Sequence, residues 1–277
     1  MKKADWPSRL APLGLEPSEA PQTLGGGDSA DVWRVATRQG AMVIKRDDPA
    51  TLRLEADGLQ ALREAGSGLV VPAVIALDDD LLVMEALDGS APRDPARLGE
   101  GLRRLHAVVG PYHGWPRDNR CGPTPQCNTP EADGRAFQRE RRLLALGEAC
   151  RQRGLLDATA GERLAVIAAR LEQWLPDAEP RLVHGDLWSG NVLYTPDGPA
   201  LIDPAVYYHY PEVDLAMLTL FGRPGEAFFE AYWDGGPPAD WPRRERLFQL
   251  YPLLNHLYLF GGGYRAAVTA TLDALGG

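Results

Sequence analysis

Short apolar runs divided by polar turns make up much of the first hundred residues, a pattern typical of antiparallel strands. Four such runs occur, at 32–36, 41–45, 69–77 and 81–87. Thr37-Arg38-Gln39-Gly40 and Asp78-Asp79-Asp80 separate them pairwise and predict two hairpin turns. Between the pairs, the stretch 49–65 has its leucines at helical spacing. This part of the chain is therefore predicted to be an antiparallel sheet with one packed helix.

Helical spacing dominates after residue 88. Helices are predicted at 100–109, at 131–153, after a Thr159–Glu162 capping box, and from Glu212 to the end. The stretch 110–130 is dense in Pro, Gly and Asn and predicts a loop, whereas 181–203 predicts two short strands around a glycine-containing loop. The fold class is α+β. The change of pattern predicts two units, residues 1–88 and 89–277.

Composition narrows the class of protein. The chain has 277 residues, 44% of them apolar and 24% charged, which is ordinary for a globular protein. A net charge of -9 argues against a nucleic-acid partner, which calls for a basic surface. Three cysteines, no apolar run of about 18 residues and no signal-peptide core predict a cytoplasmic protein without a membrane partner.

A glycine-rich turn, Gly25-Gly26-Gly27-Asp28, leads into the first long strand, where backbone N–H groups can approach phosphate oxygens. It matches neither the P-loop nor the dinucleotide fingerprint, and taken alone it also fits a flexible turn. Lys45 ends a later strand and could grip phosphates, with Glu55 on the following helix as a partner. Taken alone, Lys45 also fits a surface lysine.

A third feature is His184-Gly185-Asp186, which follows an apolar run, with Asn191 five positions after the aspartate. Phosphoryl transfer needs a carboxylate that orients and deprotonates the attacking hydroxyl, and oxygen ligands for Mg²⁺. Asp186 fits the first task. Asn191 fits the second together with Asp203, which ends the next apolar run.

In this order, the features resemble the parts of kinase-like phosphotransferases. Protein kinases have Arg where Gly185 stands and Phe-Gly where Pro204 follows Asp203, and no Ala-Pro-Glu segment follows here. Over nearly its whole length the sequence resembles the fructosamine kinase (ketosamine-3-kinase) family. The segments that carry this resemblance are 118–126 with Asn128, 184–191, 202–208, 212–217, 220–222 and 250–256. The Trp188-Ser189-Gly190 insert distinguishes the family from aminoglycoside and choline kinases.

The resemblance implies a bilobal protein-kinase-like fold with ATP between a small sheet lobe and a larger helical lobe. It implies transfer of phosphate to the sugar 3-hydroxyl of a ketoamine, a deglycation activity that uses ATP and Mg²⁺. The implied nucleotide-binding residues are Gly26, Gly27, Lys45, Glu55, Glu85, Ala86, Leu87, Asn191 and Asp203. Asp186 is the implied base, Asn191 and Asp203 are the implied metal ligands, and Asp214 braces the catalytic loop.

Candidate acceptor residues are Trp188, Asp28 and His256, although Trp188 and His256 also fit roles in packing. Asp28 stands where some relatives have Cys, so no thiol switch is expected there. The stretch 208–212 departs from the family pattern and leaves the acceptor open. Arg135, Arg139, Arg141 and Arg142 fit a solvated helix face or an acceptor site. The alternatives are an aminoglycoside or choline kinase and a nucleotide-binding pseudokinase.

Overall fold

The computed structural model describes residues 6–25 and 30–276. A five-stranded antiparallel sheet with strand order β1-β2-β3-β5-β4 forms the N-terminal part. Its strands are β1 (Gln22–Thr23), β2 (Asp31–Thr37), β3 (Gly40–Arg46), β4 (Val74–Asp78) and β5 (Leu81–Glu85). Helix α1 (Trp6–Leu10) precedes the sheet, and α2 (Pro49–Glu64) connects β3 to β4. Both predicted hairpin turns are confirmed.

The two faces of this sheet have different neighbours because side chains alternate along a strand. Ile44 and Val83 point to one face, where they pack with Leu10 and Leu15 from the N-terminal segment. Leu82 and Met84 point to the other face and join the main core with α2. Lys45 lies on this second face, one residue beyond Ile44, which directs its side chain towards α2.

Helix α2 begins where the sequence predicts. The Asp48 carboxylate accepts hydrogen bonds from the N–H groups of Ala50 and Thr51, and Pro49 occupies the first turn. Leu59 and Leu62 bury the inner face of the helix. At Gly58 the helix approaches so closely that an added Cβ would lie 2.9 Å from Cγ of Pro204. This close approach brings α2 against the segment that follows Asp203.

The remainder is mainly helical, with three two-stranded sheets. The helices are α3 (Pro95–Leu105), α4 (Gly134–Phe137), α5 (Ala145–Gln152), α6 (Ala158–Ala168), α7 (Leu171–Trp174), α8 (Glu212–Leu220), α9 (Glu226–Trp233), α10 (Trp241–Phe260) and α11 (Arg265–Gly276). A π-helical segment, Gln138–Leu144, joins α4 to α5. The strands are β6 (Asn119–Cys121), β7 (Thr124–Gln126), β8 (Arg181–Val183), β9 (Val192–Thr195), β10 (Gly198–Leu201) and β11 (Tyr207–His209).

Three of these short strands frame the segments that carry candidate chemistry. Strand β8 delivers the chain to His184-Gly185-Asp186 and pairs with β11. The β9–β10 hairpin follows Asn191 and ends just before Asp203. Because β9 and β10 are antiparallel neighbours, the start of β9 and the end of β10 meet, as Val192 opposite Leu201 shows. Asn191 and Asp203 are therefore brought to one end of the hairpin.

Several boundary predictions are wrong. The run 69–77 is a strand only from Val74, and the helix predicted at 100–109 spans 95–105 because Asp94 caps it. Helix α6 is capped by Asp157 and not by Thr159. The predicted loop 110–130 contains the β6–β7 hairpin.

The main core extends across the boundary predicted at residue 88. Leu62 and Met84 from the N-terminal part belong to the same buried cluster as Leu98 and Leu102 of α3. In the part of the chain that the structure describes, no helix has both the length and the apolarity needed to cross a membrane.

Candidate active site

A cavity of about 610 Å³ lies between the N-terminal sheet, α2 and the loops around β8, β9 and β10. Nine of the predicted site residues line it: Lys45, Glu55, Glu85, Ala86, Leu87, Asp186, Trp188, Asn191 and Asp203. They come from five separate stretches of chain, so the fold brings together what the sequence spreads over 159 residues. The predicted residues Gly26, Gly27 and Asp28 lie outside the described residues.

Lys45 joins three elements of the cavity wall. Its Nζ donates to Glu55 Oε1 on α2 at 2.6 Å and also to Asp203 Oδ1. The Lys45 and Glu55 side chains are only 13% and 15% exposed, whereas that of Asp203 is 45% exposed. The ammonium is thus fixed from behind by Glu55, while Asp203 faces the open part of the cavity.

The protonation of this cluster follows from its surroundings. Burial by itself lowers the pKa of Lys45, but the Glu55 and Asp203 carboxylates outweigh it and raise this pKa above the ordinary lysine value. Lys45 is therefore a permanent cation. For Glu55, burial raises the pKa while Lys45 opposes the shift. Two carboxylates against one ammonium leave an excess of negative charge that a further cation would offset.

The loop that carries Asp186 is held by backbone contacts. Gly185 has φ of +83°, a conformation that favours glycine, and an added Cβ would clash with the carbonyl oxygen of Ala205. The Ala205 N–H donates to the His184 carbonyl at 2.8 Å, which ties the loop to the segment after Asp203. His184 Nε2 also donates to the Ile202 carbonyl at 2.9 Å, the loop-organising role predicted for this residue.

Asp214, in the first turn of α8, supports the same loop from below. Its Oδ2 accepts from the His184 N–H at 2.7 Å, and its Oδ1 accepts from the Gly185 N–H at 2.9 Å. The His106 ring lies 3.1 Å from Oδ2 and hydrogen-bonds to the Tyr232 hydroxyl on its other side. This buried carboxylate has a partner for each oxygen, so the loop backbone is held in one position.

Asp186 has an unusual acidity for a carboxyl group. Burial raises its pKa to about 7; the charges of Asp203 and Asp214 add to the shift, while a hydrogen bond from the Cys121 thiol and one from Asn191 oppose it. A carboxyl group that titrates near neutrality and faces a cavity is suited to accept a proton from a substrate.

Asn191 and Asp203 form a set of oxygen atoms at the end of the β9–β10 hairpin. The Asn191 Nδ2 donates to the Asp186 carbonyl at 2.9 Å, which leaves its Oδ1 free to face the cavity. Asp203 is one of two non-glycine residues with positive φ among the described residues, at 55°. Strain of this kind is concentrated at functional positions. Carbonyl and carboxylate oxygens are the ligands that Mg²⁺ prefers, so the donor set fits this ion.

At the opposite end, the cavity is apolar and flanked by the segment 85–87. Its apolar lining residues are Leu24, Val32, Val43, Met84, Leu193 and Ile202. The Ala86 N–H already donates to the Ala41 carbonyl at 3.0 Å, and the Glu85 N–H donates to the Ala73 carbonyl at 2.9 Å. For Leu87 the structure gives no such backbone partner within the described residues.

Comparison with known proteins decides the family of the chain. The family model for fructosamine kinase matches residues 14–275. The chain belongs to the fructosamine kinase family.

Individual relatives agree with this assignment. A protein named as a probable ketoamine kinase from Thermus thermophilus is 37% identical over 272 residues, 96% of this chain and 97% of its own length. The chloroplastic protein-ribulosamine 3-kinase of Arabidopsis thaliana is 33% identical, with 91% and 81% covered. A crystal structure of a candidate fructosamine-3-kinase from Thermobifida fusca superposes with a TM-score of 0.89 at 33% identity, covering 98% of both chains.

The bilobal kinase-like fold is confirmed at greater distance as well. A solved aminoglycoside phosphotransferase, only 18% identical, shares the fold with a TM-score of 0.67 over 97% of this chain and 96% of its own. That likeness concerns the fold alone. The fructosamine kinase family, and not the aminoglycoside or choline kinases, is the group to which the sequence belongs.

The structure places the candidate acceptor residues Trp188 and His256 in different surroundings. Trp188 lines the cavity and its side chain is 40% exposed. His256 does not line it. The His256 ring packs against Phe221, Phe260 and Tyr264, and its Nδ1 is bonded to the Pro252 carbonyl at 2.7 Å. The structure therefore places His256 in an aromatic cluster outside the cavity.

Sequence reasoning missed the contribution of the β6–β7 hairpin. Asn119, Arg120 and Gly122 line the cavity, and the Cys121 thiol bonds to Asp186. The resemblance of 118–126 to the family was a signal, but it assigned no role to these residues. For Arg142, the prediction of a solvated or acceptor-binding arginine is wrong. It is fully buried and stacks on Phe137 and Tyr207.

Proposed function

We propose that the protein is an ATP-dependent kinase that phosphorylates a sugar hydroxyl of ketoamines, at the 3-position in fructosamines and ribulosamines. The observation that carries this proposal is the placement of Lys45, bonded to both Glu55 and Asp203, in the cavity that also contains Asp186. Membership of the fructosamine kinase family supports the acceptor class. The proposal includes a deglycation role, in keeping with the glycated amines named for the relatives.

The nucleotide would lie with its base at the apolar end, against Glu85, Ala86 and Leu87, and with its phosphates towards Lys45. Lys45 supplies a point charge for the phosphates, and Glu55 keeps its ammonium in place. The predicted contribution of Gly26 and Gly27 is retained in this proposal as backbone N–H donors to phosphate.

Asp186 would act at the acceptor hydroxyl. The hydroxyl oxygen attacks the γ-phosphorus, the bond to the β,γ-bridging oxygen breaks, and the hydroxyl proton passes to the Asp186 carboxylate. Trp188, at the edge of the same cavity, offers an aromatic face to the apolar side of a sugar ring. Asp214 and Gly185 hold the loop, so that Asp186 meets the hydroxyl without reorganisation.

Asn191 and Asp203 would hold Mg²⁺. When bound, the ion would offset charge on the phosphates during transfer. Within the protein, the Asn191 amide is oriented by its bond to the Asp186 carbonyl. Asp203 would hold the ion while its carboxylate also accepts a hydrogen bond from the Lys45 ammonium.

Two broader predictions belong to the same proposal. We assign residues 1–88 to a nucleotide-binding lobe and residues 89–277 to a catalytic and acceptor lobe. We place the protein in the cytoplasm, where cysteines stay reduced. Cys121, Cys127 and Cys150 are all free thiols, in keeping with such a compartment. The acidic net charge supports the absence of a nucleic-acid partner.

The experiment that tests the proposal is ADP release with Mg²⁺ and ATP across matched acceptors: fructosyl-, ribulosyl- and erythrulosyl-amines, an aminoglycoside, choline and no acceptor. We expect turnover with ketoamines only. The phosphorylated carbon of the product, read by ³¹P–¹H correlation NMR, should be sugar C3. Activity on the aminoglycoside with none on ketoamines would contradict the proposal. A nucleotide-induced thermal shift without turnover on any acceptor would instead indicate a pseudokinase.

A further inference from the structure

We propose that Arg120 binds a carboxylate of the acceptor, so that the preferred acceptors are ketoamines built on the α-amine of a free amino acid. This inference rests on the proposed function and specifies its acceptor class. It concerns the amine part of the acceptor. The candidate residues Trp188 and Asp186 act on the sugar in the proposed function and do not select among amines.

Arg120 belongs to the wall of the cavity that contains the proposed base. It is the middle residue of β6 and lines the same cavity as Asp186 and Trp188. Its neighbour Cys121 points the other way and bonds to the Asp186 carboxyl. Residue 120 thus adjoins the residue that contacts the proposed base, while the Arg120 side chain leaves the exposed face of β6 and lines the cavity.

The Arg120 guanidinium is available for a ligand. Its Nη1 donates to the Pro123 carbonyl at 3.0 Å, which leaves Nη2 and Nε for other partners. No carboxylate of the described residues forms an ion pair with it. Arg117, three residues earlier, is by contrast paired with Asp57 at 2.8 Å. In a chain of net charge -9, an unpaired cation in the substrate cavity points to an anionic ligand.

The other two cations that line the cavity have different positions. Lys45 is held by Glu55 and Asp203 and faces the phosphates in the proposed function. Arg34 lies on β2 opposite Val43 of β3, and Val43 lies opposite Met84 of β5. Arg34 is therefore on the same side of the cavity as Val43 and Met84, which line the apolar base site. Arg120 is therefore the cation of the described lining that stands on the acceptor side.

The hairpin that carries Arg120 is held in place by contacts on its inner side. Asn119 Nδ2 donates to the Val206 carbonyl at 2.9 Å, and its Oδ1 accepts from Asn128 Nδ2 at 2.8 Å. Arg142 in turn donates to Asn128 Oδ1 at 2.7 Å. Because the backbone of β6 is fixed, only the Arg120 side chain has to be ordered when a ligand binds.

The chemistry of ketoamines makes a carboxylate the natural partner. When a sugar is attached to the α-amine of a free amino acid, the carboxylate carbon lies five bonds from sugar C3. The planar guanidinium matches a carboxylate in a two-point contact. A ketoamine on a lysine side chain within a protein has no carboxylate at that distance. Recognition by Arg120 would therefore select free glycated amino acids over glycated proteins.

The test compares fructosyl-valine with fructosyl-valinamide, which differ in the acceptor's carboxylate and share sugar and side chain. In the wild-type protein, we expect kcat/KM to be about 10- to 100-fold higher for fructosyl-valine, the range for one charge-assisted contact. Arg120→Gln should remove this preference by lowering kcat/KM for fructosyl-valine towards that for the amide. Arg120→Lys should retain part of it. Arg117→Gln, a surface arginine with its own partner, is the matched control and should keep the full preference.

Three results would overturn the inference. Equal wild-type kcat/KM for the acid and the amide would show that no carboxylate is recognised. A higher KM for ATP in Arg120→Gln with both acceptors would place Arg120 at the nucleotide. The wild-type protein could instead prefer a ketoamine that carries a phosphate on its sugar and no carboxylate. If Arg120→Gln removed that preference, Arg120 would be placed at the distal end of the sugar. Absence of turnover with every ketoamine is a separate outcome, which would contradict the proposed function itself.

Discussion

Lys45 and Glu55 form an ion pair of 2.6 Å that connects β3 to α2 and leaves both side chains largely buried. The ion pair holds the Lys45 ammonium at the cavity and keeps the lysine side chain from turning towards solvent. Its geometry depends on how closely α2 approaches the segment around Pro204, which Gly58 permits.

Replacing Glu55 by Gln should free the Lys45 ammonium to pair with Asp203 alone. We expect kcat/KM for ATP to fall about 10- to 100-fold, since the cation is then drawn towards the proposed metal ligand. Steady-state ADP release measures this change. Glu64→Gln on the same helix is the control, because Glu64 is exposed and its carboxylate accepts a hydrogen bond from the side chain of Gln60. An equal loss in both variants would contradict the role of the pair.

Replacing Asp186 by Asn should lower kcat by about 10²–10⁴-fold, the usual contribution of a general base. Asparagine has nearly the same shape, so KM for ATP and the nucleotide-induced thermal shift should stay near their wild-type values. Single-turnover measurement of ADP formation separates the chemical step from binding. Turnover close to that of the wild type would rule out Asp186 as the base.

The same substitution should change how stability depends on pH. Because burial raises the pKa of Asp186 to about 7, the folded protein binds a proton there that the unfolded chain, with an ordinary aspartate, binds only below about pH 4. The ionised carboxylate therefore destabilises the fold above pH 7, and this penalty disappears as the pH falls. We expect Asp186→Asn to be more stable than the wild type at pH 8.

This advantage should shrink by up to about 1.4 kcal/mol per pH unit as the pH is lowered below 7. Urea unfolding in the presence of a chelator, at intervals between pH 8 and pH 5, measures the difference. A constant difference over this range would mean that the pKa of Asp186 is not raised.

Replacing Gly185 by Ala should disturb the catalytic loop, because the new Cβ meets the Ala205 carbonyl and φ is +83°. We expect a loss of about 1–3 kcal/mol in the free energy of unfolding and a fall in kcat. Gly161→Ala is the matched control: Gly161 lies within α6, has open space around it, and should gain about 0.5–1 kcal/mol. Thermal unfolding of both variants checks the opposite signs.

The hairpins of the N-terminal sheet and helix α2 could be predicted because their signals are local. Alternation of apolar residues, the turn at residues 37–40 and the Asp48-Pro49 start all lie within the elements that they define. The β6–β7 hairpin was missed because its strands are three residues long and contain no clear alternation. They are stabilised by Val206, Asn255 and other partners distant in sequence.

The candidate site also contains residues that local sequence signals predict and residues whose surroundings depend on distant parts of the chain. Asp186, Asn191 and Asp203 were recognisable because residue type, order and spacing are properties of the sequence. The burial of Arg142 was not, since the rings of Tyr207 and Tyr251 that enclose it come from elsewhere in the chain. For His256 the sequence left a substrate contact and a packing role open, and the structure places it in an aromatic cluster outside the cavity.

The sequence by itself determined which side chains can perform phosphoryl transfer and to which family the chain is similar, because both depend on motifs within short segments. Only the tertiary structure decided which of these side chains face one another. Lys45 and Asp203 are 158 positions apart and meet because α2 and the β9–β10 hairpin pack on a common core. The same packing places Arg120 in the lining of the cavity and His256 outside it, and no local pattern carries that information.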